Sequence, residues 1–172
     1  IYLQGHAPGS QALTPRTATI VNQLLQTDLY SRAGAAGGRY PTAGNMRSFG
    51  KTGTTTDERD LWFVGGTPYY VTAVWWGYDS PYDMTNTLGS QAKTRVCVEA
   101  WKALMNTVQE GYEPREFPMA EGVVQRSYCT ESGLLATAGC PGTAVGYYKA
   151  DDLPAACNYD HTGGILPAEV DT

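Results

Sequence analysis

Positive charge is scarce in this sequence and nowhere concentrated. Twelve Lys and Arg stand against seventeen Asp and Glu, a formal net charge of −5. With no basic run, a nucleic-acid partner is excluded, because phosphate binding needs clustered cations. Long apolar runs are missing too. The longest, residues 69–76 with Thr72 inside it, falls far short of the roughly 20 residues that a membrane span requires. The opening Ile1-Tyr2-Leu3-Gln4-Gly5 has neither the basic start nor the apolar core of a signal peptide. It does not begin with methionine, so the sequence is expected to be an excerpt of a longer chain. Histidine is rare: His6 and His161 have no carboxylate or serine companion at motif spacing, and both read as surface residues.

Close cysteine pairs are also absent. Cys97 sits alone in a helical pattern and reads as a small core residue. Cys129, Cys140 and Cys157 fall together in the Gly- and Pro-punctuated last third. That placement favours a disulfide, pairing open, and hence an oxidising, extracytoplasmic location. The competing reading is a metal site using the three cysteines and His161. Structural zinc sites usually supply their thiolates as close pairs, so no metal and no cofactor are expected.

What is present describes a packed protein. A hydrophobic fraction of 42% against 17% charged residues fits a globular chain, long enough for one cored domain plus a small appendage. Residues 1–13 read as a loop or short edge strand. Thr14 is a helix N-cap and Pro15 suits the first helical position; Ile20, Val21, Leu24 and Leu25 then form an apolar stripe that should face a core. Residues 33–45 break this helix and read as a loop. Strand patterns follow at 47–55, 61–64 and 69–76, the last two joined by the turn Gly65-Gly66-Thr67-Pro68, which together predict an antiparallel meander. Apolar residues of both parities in the last strand predict a sheet covered on both sides. A second helix is predicted over 90–110, with Val96, Val98, Trp101, Leu104, Met105 and Val108 on its apolar side. Residues 123–172 form a separate small unit. The domain reading is 1–112 as the main body and 113–172 as a cysteine-containing C-terminal extension.

The chemical signal is Gly50-Lys51-Thr52-Gly53-Thr54-Thr55 on a predicted strand. Lys51 and Gly53 project to one face, Thr52 and Thr54 to the other. A Lys ammonium favours a nearby alkoxide and attracts a carboxylate, and threonine hydroxyls can hydrogen-bond that carboxylate. Gly53 lets another backbone approach, and an edge strand can accept a peptide by β-addition. The whole run GKTGTTTDERDLWFVGGTPYYVTAVWWGYD is similar to the third-motif region of class A penicillin-binding proteins, whose superfamily carries Ser-x-x-Lys, Ser-Asp-Asn and Lys-Thr-Gly motifs. The similarity extends over residues 12–110.

This resemblance implies a mixed α/β fold, a partial penicillin-binding protein/serine β-lactamase-like transpeptidase with an antiparallel sheet flanked by helices, here its C-terminal half. It implies a D-alanyl-D-alanine transpeptidase that cross-links peptidoglycan through an acyl-serine and binds β-lactams, on the extracytoplasmic face of the bacterial membrane. Lys51, Thr52, Gly53 and Thr54 would bind substrate. Lys51 and the Thr54 amide, as an oxyanion-hole donor, would serve catalysis. Asp60 and Trp62 read as framework, and Trp75 and Trp76 as core or cleft-wall aromatics. The implied partners are the peptidoglycan stem peptide, β-lactam antibiotics and the N-terminal half of the same transpeptidase domain.

Two motifs are missing. Ser48-Phe49-Gly50-Lys51 lies on the strand, where positions three apart face opposite ways. Ser90-Gln91-Ala92-Lys93 opens a helix but follows the Lys-Thr-Gly motif instead of preceding it. No Ser-x-Asn occurs. The nucleophile is therefore expected outside this chain, which alone should be inactive and should expose the face meant for the missing half. The alternatives are a non-catalytic cell-wall binding module on the same scaffold, or a β-lactamase or β-lactam sensor of the superfamily.

Overall fold

The computed structural model describes residues 9–30, 46–80, 82–84, 95–161 and 164–165. It divides into two compact units, 21–118 and a second made of 1–20 with 119–172. The boundary falls inside the first helix, α1 (Pro15–Tyr30). That helix starts as its sequence dictates. Thr14 Oγ1 accepts the Thr17 N–H at 3.3 Å, satisfying one of the free first-turn amides, and Pro15 takes the first helical place.

The expected mixed α/β architecture is present. In the unit of residues 21–118, β1 (Phe49–Thr54), β2 (Asp60–Gly66) and β3 (Val71–Gly77) form an antiparallel sheet in the order β1-β2-β3, the meander anticipated from the sequence. The β2–β3 turn is held by one hydroxyl. Buried Thr67 donates to Gln109 Oε1 at 2.8 Å, while its oxygen accepts the Tyr69 and Tyr70 amides at 3.3 Å each. We expect Thr67→Val, nearly isosteric, to cost about 1–3 kcal/mol by stranding these buried polar groups. Urea unfolding should show a lower midpoint with an unchanged slope.

Helix α2 (Arg95–Val108) lies against β2 and β3. Its buried Cys97, Val98, Trp101 and Met105 meet Leu61 and Phe63 of β2, joined by Leu29 and Met84. The period of two along β2 decides which side faces in: Leu61 and Phe63 are buried, Trp62 and Val64 exposed. Gly50 and Gly65 sit opposite each other across β1 and β2 on the buried face. A Cβ on Gly65 would stand 2.6 Å from the Phe63 ring and 2.8 Å from the Trp101 indole, so both aromatics lie directly on bare backbone. Cys97 is a core residue, as its context suggested, with Sγ donating to the Leu61 carbonyl at 3.3 Å.

Two expectations need correction. The stripe on α1 is only partly buried: Ile20 and Leu25 are half-buried, Val21 and Leu24 are exposed, and Leu29 is the residue that reaches the core. The sheet is covered on one face by α2, whereas Trp62, Val64, Val71 and Trp75 are 42%, 43%, 67% and 41% exposed on the other. Trp76 is exposed as well. The predicted loop 33–45 and the predicted helix start at 90–94 lie outside the described residues.

In the other unit, β4 (Val123–Cys129) pairs antiparallel with β5 (Thr143–Lys149), and β6 (Tyr159–Asp160) with β7 (Gly164–Ile165). Arg16 Nη1 bonds Asp151 Oδ2 at 2.8 Å, and this guanidinium holds the Asp151 carboxyl below its ordinary range. Gly133, at φ +75°, closes the turn after β4, donating to the Cys129 carbonyl at 2.8 Å. Among the described residues of this unit, the only buried members of the hydrophobic class are Cys129 and Cys157.

Candidate functional site

The ladder phase of β1 determines what its outer edge offers. Just past the strand, the Thr55 N–H bonds the Asp60 carbonyl at 3.2 Å. Antiparallel pairs alternate between bonded and non-bonded, so residues 49, 51 and 53 spend their backbone groups on β2. Gly50, Thr52 and Thr54 turn theirs to the opposite side, where no strand lies among the described residues. The segment Lys51–Thr54 thus presents a strand edge with the Thr52 and Thr54 amides directed outward. Lys51 and Gly53 share the exposed face with Trp62 and Val64, their register partners being Val64 and Trp62. The Lys51 ammonium lies 3.7 Å from Asp28 Oδ2, an open pair with side chains 60% and 39% exposed and therefore weak. Thr54 is exposed and Thr52 half-buried.

Neighbouring residues frame this edge. Asp60 Oδ1 accepts the Trp75 indole N–H at 2.8 Å, and the rings of Trp62 and Trp75 lie 6.4 Å apart. Asp60 is thus tied to holding an aromatic on the exposed face. Ser48 is fully buried, its hydroxyl donating to the Met46 carbonyl at 3.1 Å. It stands just before β1 and is buried, whereas Lys51 is exposed. Ser90, Lys93 and His6 lie outside the described residues.

A second constellation occurs in the C-terminal unit. The Sγ atoms of Cys129, Cys140 and Cys157 and one His161 ring nitrogen all lie within 4.8 Å of one another. The sequence favoured a disulfide here; in the structure all three cysteines are free thiols. His161, expected at the surface, is inside: its side chain is 9% exposed, and its Nε2 is 3.5 Å from both Cys129 Sγ and Cys157 Sγ. Its Nδ1 meets Glu131 Oε2 at 2.6 Å. That carboxylate, with smaller help from Cys140 and Cys157, raises the His161 pKa to about 9. Hydrogen bonds from the Ser132 hydroxyl and the Tyr159 amide bring Cys157 down to about 6. At Cys129, burial pushes the thiol up, but the Ser132 and Glu131 amides outweigh it and the net shift is downward. The sequence reading missed Glu131 and Asp28 altogether. The signal for His161 was its spacing, four residues beyond Cys157, which returns the ring toward the same turn.

Comparison with known proteins gives consistent matches. A family model described as Penicillin-binding protein 1A, C-terminal domain, matches residues 119–161. A penicillin-binding protein 1A of Clostridium tetani is 30% identical over 95% of this chain and 21% of its own length. That of Pseudomonas aeruginosa is 31% identical over 88% of this chain and 18% of its own length. That of Neisseria meningitidis serogroup B is 38% identical over 66% and 14%. The chain spans about a fifth or less of the length of these curated relatives. The crystal structure of penicillin-binding protein 1A from Haemophilus influenzae covers 81% of this chain and 21% of that chain, with a TM-score of 0.66 at 24% identity. That likeness establishes a shared fold, here part of the larger one.

Proposed function

The chain belongs to the class A penicillin-binding proteins, and from that premise we propose that residues 49–54 form one wall of a D-alanyl-D-alanine transpeptidase site. The carrying observation is the outward edge of β1, which combines the Thr54 amide, the Lys51 ammonium and a bare Gly53.

In this reading a stem peptide, or a β-lactam in its place, lies along the edge of β1 by β-addition. Its carboxylate is held by Lys51 and by the hydroxyls of Thr52 and Thr54. The Thr54 amide donates to the oxygen that becomes negative when a serine attacks the carbonyl; one such donor contributes about 3 kcal/mol. The acyl-serine that results passes its acyl group to an amine of a second stem peptide, forming the cross-link. The serine itself comes from the N-terminal half of the same transpeptidase domain. The exposed apolar face of Trp62, Val64, Val71 and Trp75 is the surface that half would cover. The site works at the extracytoplasmic face of the membrane. Among the described residues, no helix is long and apolar enough to cross a membrane.

Intact mass measurement after incubation with a penicillin tests the division of labour. This chain alone should gain no acyl mass, whereas the longer polypeptide joining it to a Ser-x-x-Lys segment should gain one penicillin. Acylation of this chain by itself would overturn the proposal and make Ser90 the serine to mutate.

A further inference from the structure

The C-terminal unit has almost no apolar interior, since its described buried residues of that class are Cys129 and Cys157. A unit this small ordinarily needs a disulfide or a metal to hold it. We propose that Cys129, Cys140, Cys157 and His161 bind one zinc ion in a closed, tetrahedral Cys3His site that staples this unit together.

The distances fit. Zinc–sulfur bonds of about 2.3 Å and a zinc–nitrogen bond of about 2.0 Å in a tetrahedron place sulfur and nitrogen about 3.5 Å apart. Both measured Sγ–Nε2 distances are 3.5 Å, and all four ligand atoms lie within 4.8 Å of one another. The ligands come from well-separated stretches. Cys129 ends β4, Cys140 precedes β5, and Cys157 and His161 flank β6. One ion therefore closes three loops at once, which is where a crosslink contributes most.

The surroundings suit a metal better than a disulfide. Glu131 engages His161 Nδ1, which leaves Nε2 as the nitrogen that faces the sulfurs. A carboxylate on the far nitrogen is the usual outer partner of a ligating histidine. The sulfurs also have polar neighbours: Cys140 Sγ accepts the Thr137 N–H at 3.3 Å, and the Ser132 hydroxyl lies 3.1 Å from Cys157 Sγ. Amides aimed at a sulfur stabilise a thiolate. A disulfide would join two sulfurs, leaving the third cysteine and the His161–Glu131 pair with no task. On loading, the three cysteines bind as thiolates and His161 as a neutral imidazole that keeps its Nδ1 proton, and the protons the four ligands give up pass to solvent. All four positions are protein-supplied, so the ion is structural and carries no reacting water. Three thiolates, one imidazole and tetrahedral geometry select zinc over harder cations.

The test uses the full chain, purified under reducing conditions. Elemental analysis should give one zinc per chain. After the metal is removed, cobalt(II) chloride should produce tetrahedral ligand-field bands with thiolate-to-cobalt charge transfer, and zinc sulfate should bleach them. Cys140→Ser should lose this spectrum. Glu131→Gln keeps every ligand, so it should retain the spectrum and weaken zinc binding about 10–100-fold. Three results would overturn the proposal: a reduced chain that binds neither ion, an octahedral cobalt spectrum, or a freshly isolated chain lighter by two thiol hydrogens and free of metal. The last would restore the disulfide.

Discussion

Replacing Trp101 with alanine should destabilise the unit of residues 21–118 by about 3–5 kcal/mol, the range for emptying a buried aromatic site. The indole is 2% exposed, meets Phe63 edge-on at 5.3 Å and donates to the Gly65 carbonyl at 3.1 Å. Truncation therefore opens a cavity, ends an aromatic pair and leaves a buried carbonyl without its donor. The glycine that admits the ring cannot fill the gap, because Gly65 has no side chain to move into it. Small domains are held by about 5–15 kcal/mol in total, so the variant should retain little margin. Trp62→Ala supplies the contrast. Trp62 sits on the same sheet but on the open face, 42% exposed, and should cost about 1 kcal/mol or less. Chemical denaturation of the two variants reads the difference. Equal losses would mean that the two faces of the sheet have been assigned wrongly.

Whether an element was legible in the sequence depended on how local its cause was. The α1 start needed only Thr14 and Pro15 and stands in the structure; the Gly-Gly-Thr-Pro signal located the link between β2 and β3, although Gly65 and Gly66 still belong to β2 and the turn runs over 67–70. The strand at 49–54 was legible from β-propensity and glycine placement, and its chemical meaning from the Lys-Thr-Gly run. Burial was read less well, because it depends on partners that the pattern does not name. Ile20, Val21, Leu24 and Leu25 make a helical stripe, yet Val21 and Leu24 stay exposed. In the last strand the apolar residues of both parities read as two covered faces, yet only one face meets a helix.

The cysteine cluster shows the same limit from the other side. Spacing along the chain argued against a metal because no two cysteines are neighbours in sequence. The β4–β5 hairpin overrides that objection. It returns Cys140 beside Cys129, and the turn ending at β6 brings Cys157 and His161 to the same point. A ligand set assembled by tertiary pairing leaves no motif to read. Glu131 was invisible for the same reason: its role exists only through its contact with His161.

At the β1 edge, Lys51→Ala should slow acylation by a penicillin about 10–100-fold in the polypeptide that carries the serine. That is the kinetic equivalent of about 1.5–3 kcal/mol for a hydrogen bond to a charged group. In the chain as it stands the ammonium is held only loosely by Asp28 at 3.7 Å, so it is available to an incoming anion at little cost. The test lies in the ligand as much as in the variant. If Lys51 acts by binding the carboxylate, a penicillin ester, which lacks that charge, should already react slowly with the parent protein. Lys51→Ala should then slow the ester hardly further, because the two changes remove the same interaction and cannot add. Lys51→Arg should recover part of the rate for the acid, since it restores the charge with a wider, planar head. Full additivity of the ester and the alanine change would separate Lys51 from the carboxylate and assign it instead to the attacking serine. An unchanged rate for the acid would remove Lys51 from the site altogether, leaving the β1 edge to act through its amides alone.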